Sequence, residues 1–106
     1  LRSSKGREPV VVFGVMQDKE YGAMVRELAK VSLRIVVVAA RTRRALPARV
    51  LYGHFRASGV IVVPAGSVRD GVDRALEEAG PRGRVLITGS HYVVGEAMEY
   101  LEGEKA

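Results

Sequence analysis

Four short runs of apolar and β-branched residues, spaced by helix-length segments, constrain this chain more than any other feature. Val10 to Phe13 reads Val-Val-Val-Phe, and Arg34 to Ala40 contains Ile35-Val36-Val37-Val38. Val60 to Val63 reads Val-Ile-Val-Val, and Arg84 to Thr88 contains Val85-Leu86-Ile87. None alternates apolar with polar residues, so each reads as a strand covered on both faces, as in a parallel sheet.

The intervening segments carry apolar residues at spacings of three and four. Tyr21, Met24, Val25 and Leu28 share one helical face, with Arg26, Glu27 and Lys30 outside. Gly22 weakens that helix by about 1 kcal/mol relative to alanine, and points to close packing on the sheet. Pro47 suits the first turn of a helix from Ala48 to Ser58, with Val50, Leu51 and Phe55 inward and Tyr52 and His54 also on it. Ser67, with Asp70 three residues on, forms a capping-box start. The helix that follows carries Val68, Val72, Ala75, Leu76 and Ala79 on one face and stops at Gly80, Pro81 and Gly83. The last helix is expected from Val93 to Leu101, ending at Gly103 before a charged tail. Strand and helix thus alternate four times, which implies right-handed crossovers. The expected fold is α/β: three-layer and Rossmann-like, with a mainly parallel sheet of at least four strands and flanking helices. All strand exits then face one edge.

At 106 residues the chain is expected to be a single domain spanning 1–106, with a polar lead-in from Leu1 to Pro9. It begins at Leu1 without an initiating methionine, which reads as a piece trimmed from something longer. Leu1 to Glu8 has no apolar core of a signal peptide, and no run of eighteen apolar residues exists to span a bilayer as a helix. Cysteine is absent, which excludes disulfides and thiolate metal sites and fits a reducing cytoplasm. His54 and His91 are the only histidines and lack metal-binding spacing, so no metal site is expected. A net charge of +5 raises nucleic acid as a partner. Only Ala40 to Arg49 concentrates the basic residues, at Arg41, Arg43, Arg44 and Arg49, and no aromatics interleave with them. A nucleic-acid interface is therefore the weakest of the readings considered.

The chemistry is expected where strands exit into helices, because ligands of open α/β sheets bind in the crevice beyond the strand carboxyl ends. After Val10 to Phe13, Gly14 ends the run, Asp18 is placed to cap the next helix, and Lys19 stands just outside the sheet. After the fourth strand, Gly89-Ser90-His91-Tyr92 adds hydroxyls beside a helix start. Lysine and hydroxyls near helix N-termini suit a carboxylate or phosphate, although Gly89-Ser90 also reads simply as a turn and cap. No Gly-x-Gly-x-x-Gly follows a strand and there is no Gly-Lys-Ser/Thr, so neither common phosphate-binding loop is present. Ser90 beside His91 is no nucleophile elbow, because Thr88 and Tyr92 occupy its glycine positions.

Taken in order, these pieces resemble the C-terminal domain of folylpolyglutamate synthase and dihydrofolate synthase, of the Mur ligase superfamily. Phe13-Gly14-Val15-Met16-Gln17-Asp18-Lys19-Glu20-Tyr21 is similar to the family's Phe-Gly-x-x-x-Asp-Lys-Asp-Tyr, and Met24 to Leu28 continues the match. Arg44-Ala45-Leu46-Pro47 is similar to its Arg-Ala-Leu-Pro. Thr88-Gly89-Ser90-His91-Tyr92-Val93-Val94-Gly95-Glu96 is similar to its Thr-Gly-Ser-Leu-Tyr-Leu-Val-Gly-Glu. Two departures stand out, His91 for leucine and Glu20 for aspartate.

The resemblance implies a ligase that uses ATP and Mg2+ to activate a folate or pteroate carboxyl as an acyl phosphate, which the amine of L-glutamate then attacks. It implies glutamate or acyl-phosphate contacts by Lys19, Ser90 and Tyr92, with Gly14, Asp18, Gly89 and Arg44 supporting the loops. The P-loop, the magnesium ligands and much of the folate site would lie on an N-terminal ATPase domain. The family's Asp-Gly-Ala-His-Asn block and the first helix of the domain have no match here. The piece is therefore expected to be inactive alone, with a bared sheet face that favours self-association. A stand-alone, non-catalytic α/β module for a small anion or nucleotide is the competing expectation.

Overall fold

Val11, Val12 and Phe13 are wholly buried, and this places the first strand inside the sheet rather than at its edge. The computed structural model describes residues 8–32 and 34–105, and the polar stretch from Leu1 to Arg7 lies outside them. In chain order the elements are β1 (Val10–Phe13), α1 (Tyr21–Val31), β2 (Arg34–Val37), α2 (Ala48–Arg56), β3 (Ile61–Pro64), α3 (Val68–Ala79), β4 (Val85–Thr88) and α4 (His91–Lys105). The strands form one sheet in the order β3-β2-β1-β4, every pairing parallel. The fold is the α/β, three-layer, Rossmann-like one that the pattern predicts.

Successive residues of β1 and β2 face opposite layers, which is why these strands show no alternation. Val10, Val12 and Val36 pack with Val68, Val72 and Ala75 of α3 and Val93 and Ala97 of α4. Val11, Phe13, Ile35 and Val37 pack with Val25 of α1 and Leu51 and Phe55 of α2. The rings of Phe13 and Phe55 meet edge to face, 5.8 Å apart. Ile61 and Leu86 are exposed because β3 and β4 are the edge strands.

Several local expectations need correction. Asp18 does not cap α1, whose N-cap position is Glu20 and has no side-chain cap bond. Gly22 makes no close approach, since a side chain there would meet only the far end of Arg26. On α3 the tight contact belongs to Gly71, where a Cβ would collide with Val38, while Leu76 lies in solvent. Pro47 occupies the N-cap position of α2 rather than its first turn, and α2 ends at Arg56, two residues short of Ser58. Ser67 does cap α3, accepting from the Asp70 N–H at 3.1 Å. The last helix begins at His91 and runs through Gly103, longer at both ends than Val93 to Leu101. Glycine inside a helix costs only about 1 kcal/mol, too little to stop one that packs on a sheet.

A groove of about 320 Å³ opens between α1 and β4, lined by Phe13, Ala23, Met24, Leu28 and Thr88 with Glu27 at its rim. It is almost wholly apolar, and Leu86 on the neighbouring edge strand is exposed.

Candidate functional site at the topological switch point

The chain leaves β1 toward β2 and β3, then crosses back to lay β4 on the other side of β1. The crevice between the exits of β1 and β4 is thus the switch point, where ligands of such sheets bind. Two glycines let these exits touch. A Cβ on Gly14 would stand 2.6 Å from the Val38 carbonyl oxygen, and one on Gly89 would overlap the Gly14 carbonyl. Gly89 also has φ +124°, a conformation that a side chain would strain. The backbones close to a 3.4 Å hydrogen bond from the Gly14 N–H to the Thr88 carbonyl.

The loop between β2 and α2 forms the third wall. Leu46 N–H donates to Val15 O at 2.9 Å and Gln17 N–H to Arg44 O at 2.8 Å, around an antiparallel bridge between Met16 and Ala45. The Gln17 side-chain amide adds donations to Ala45 O at 3.3 Å and Arg43 O at 3.4 Å. Arg44 Nη2 then reaches Asp18 Oδ2 at 2.9 Å. With both side chains mostly exposed, this pair contributes at most about 1 kcal/mol to stability. Its effect is orientation, holding the guanidinium over the crevice.

These three loops enclose a cavity of about 440 Å³. Lys19, Arg44, Ser90, His91 and Tyr92 line it over the apolar groups of Met16 and Val94. Lys19, Ser90, Tyr92 and Gly89 therefore converge as the sequence suggests. Arg44 does more than support a loop, because it faces the cavity beside Lys19. Asp18 and Gly14 do not line it; one holds Arg44 and the other seats Gly89. His91 is exposed on the cavity wall.

Ser90 Oγ accepts from the Val93 N–H at 3.1 Å, so it caps α4. An accepting hydroxyl keeps its own proton to donate, and that proton is available to an oxygen in the cavity. Two cations and the positive end of α4 outweigh the single carboxylate of Asp18, so the crevice suits an anion with more than one oxygen. The basic stretch of the β2–α2 loop is divided. Arg41 pairs with Glu96, its N–H at 2.8 Å from Oε2, and Arg44 pairs with Asp18, which breaks up a continuous phosphate-binding patch.

Sequence reasoning missed the latch made by Val15, Gln17 and Glu96. They stand inside the blocks that carry the resemblance but gain no role from it, because those roles arise only when the β2–α2 loop folds back on the β1 exit and on α4.

Comparison with known proteins decides the family, since residues 1–91 match the model of the "Mur ligase, glutamate ligase domain". The chain belongs to that family. Over 88 residues it is 39% identical to the Haloferax volcanii "Probable bifunctional folylpolyglutamate synthase/dihydropteroate synthase", covering 82% of this chain and 10% of that protein. The structure of Escherichia coli FolC in complex with ADP superposes with a TM-score of 0.80 at 22% identity, over 93% of this chain and 24% of that one. Mycobacterium tuberculosis folylpolyglutamate synthase, solved with ADP and AMPPCP, gives 0.74 at 25% identity, over 92% and 24%. This glutamate ligase domain thus spans about a quarter of the solved chains it matches. It carries the fold of their C-terminal domain.

Proposed function

We propose that the chain, over residues 1–106, is the glutamate-binding, closing domain of an ATP-dependent ligase that adds L-glutamate to a folate or dihydropteroate. The observation that carries this reading is the convergence of Lys19, Arg44, Ser90 and Tyr92 in one switch-point cavity of a glutamate ligase domain. Glutamate offers two carboxylates and an amine. Lys19 and Arg44 supply the charge to hold carboxylates, and Ser90 and Tyr92 supply hydroxyl donors that fix their orientation. In the reaction, the folate carboxyl takes the γ-phosphoryl group of ATP and becomes an acyl phosphate. The glutamate amine attacks that carbon, phosphate leaves, and an amide remains beside ADP.

Among the described residues no three His, Asp or Glu side chains converge to hold a divalent cation. We therefore assign Mg2+ and most of the nucleotide to an N-terminal ATPase domain, and no step on this chain is routed through them. What its own residues do is bind, orient and exclude water. A second anionic occupant, the transferred phosphate, fits the same two cations.

Mixing the chain with the N-terminal domain of the Haloferax volcanii relative tests the proposal. Glutamate-dependent ADP release is expected from the mixture and from neither part alone. Tight glutamate binding by the isolated chain, with Kd below ~10 μM, together with a silent mixture would instead establish a stand-alone binding module.

A further inference from the structure

Glutamate carries an ammonium as well as two carboxylates, because an amine of this kind is mostly protonated at neutral pH. On the proposed ligase reading, Lys19, Arg44, Ser90 and Tyr92 hold the carboxylates. The ammonium needs the opposite kind of group, one that takes a proton, since a protonated nitrogen has no lone pair with which to attack. Lys19 and Arg44 only donate. Ser90 Oγ already accepts from the Val93 N–H at 3.1 Å, and neither its hydroxyl nor that of Tyr92 takes up a proton near neutral pH. Among the described residues no carboxylate lines the cavity, and Asp18 Oδ2 is turned to Arg44 at 2.9 Å. His91, the first residue of α4, stands on the cavity wall beside Ser90 and Tyr92. Among the described residues none hydrogen-bonds its ring, so a neutral imidazole keeps one nitrogen lone pair free.

We propose, resting on that ligase reading, that His91 is the general base that deprotonates the incoming amine. The ammonium gives one proton to the free ring nitrogen, and the lone pair so exposed forms the C–N bond at the acyl-phosphate carbon. The C–O bond to phosphate breaks, the second proton of the nitrogen leaves with the phosphate, and the amide keeps the third. His91 then returns its proton to water. The charged and titratable groups that share the cavity with the ring are Lys19 of the β1 exit, Arg44 of the β2–α2 loop with its partner Asp18, and Tyr92 of α4. The two cations assist the transfer, because neighbouring like charge disfavours a charged amine. Leucine, the family's residue at this position, has no lone pair to offer, so the role is particular to this chain. Without His91, water must take the proton.

The test uses the mixture of this chain with the N-terminal domain of the Haloferax volcanii relative. It is read as amide formation with glutamate and as hydroxamate formation with hydroxylamine, an amine largely uncharged at neutral pH that needs no base. His91→Leu and His91→Gln should each lower kcat with glutamate at least about tenfold relative to the rate with hydroxylamine. This is short of the ~10²–10⁴ of an enclosed base, because water reaches the open site. Glutamine hydrogen-bonds but takes no proton, so its loss separates a base from a mere contact. With the unsubstituted chain, kcat/KM for glutamate should fall between about pH 8 and 5.5, and His91→Leu should flatten that limb. Added imidazole should restore rate to His91→Ala. Full rate in His91→Leu or His91→Gln, equal losses with both nucleophiles, or an acid limb that survives in His91→Leu overturns the assignment and leaves the ligase reading standing. An unsubstituted mixture silent with both nucleophiles refutes the ligase reading, and the base assignment falls with it.

Discussion

Replacing Gly89 with alanine should damage both the fold and the site, by an amount that can be worked from the backbone. At φ +124° an alanine is strained, which costs ~1–3 kcal/mol. Its Cβ would also overlap the Gly14 carbonyl, so the exits of β1 and β4 must part and weaken the Gly14 to Thr88 hydrogen bond. A buried hydrogen bond is worth ~1 kcal/mol and the lost packing somewhat more, for a total of about 3–5 kcal/mol. With a urea slope of ~1.5 kcal/mol/M for a chain of this size, the unfolding midpoint should fall by about 2–3 M. Gly95→Ala is the matched control, because a Cβ there meets nothing within 4 Å and the residue lies inside α4. It should raise stability by ~0.5–1 kcal/mol through better helix propensity. Both changes are read from urea titrations followed by circular dichroism. A Gly89→Ala chain within 1 kcal/mol of the parent would refute the claim that close glycine contact sets the crevice.

Phe55→Ala removes a fully buried ring that meets Phe13 edge to face, and should cost ~3–5 kcal/mol in the same titration. Asp18→Ala should change stability by less than ~1 kcal/mol, since the pair it breaks is exposed. In the reconstituted ligase the same substitution should raise the KM for glutamate by loosening Arg44, and an unchanged KM would show that the ion pair positions nothing. Ser67→Ala should cost about 1 kcal/mol as a lost helix cap and leave the KM for glutamate unaltered.

The architecture was legible because uninterrupted apolar runs and helix-spaced faces both survive in the one-dimensional string. Val10 to Phe13 and Ile35 to Val38 read as buried strands; both are buried, and the second strand ends at Val37. Val60 to Val63 and Val85 to Ile87 carry the same pattern but lie at the edges, since β-branched composition does not record how many neighbours a strand has. Strand order was illegible for the same reason. Within the site, Lys19, Ser90 and Tyr92 could be picked out because each follows a strand end. Arg44 and Asp18 could not be assigned correctly, because their pairing spans 26 residues and depends on the β2–α2 loop folding back. Asp18 had the local features of a cap, but in the folded chain it finds a stronger partner in the guanidinium.

The central claim is that the cavity between β1 and β4 is where the ligase holds glutamate. The most direct test is the KM for L-glutamate of the reconstituted enzyme carrying Lys19→Ala or Ser90→Ala, with Ser67→Ala controlling for the lost cap. We expect each site substitution to raise that KM by at least about tenfold, as the loss of one charge-assisted hydrogen bond would, with the KM for ATP unmoved. A KM for glutamate that stays at the parent value in both variants would contradict the assignment.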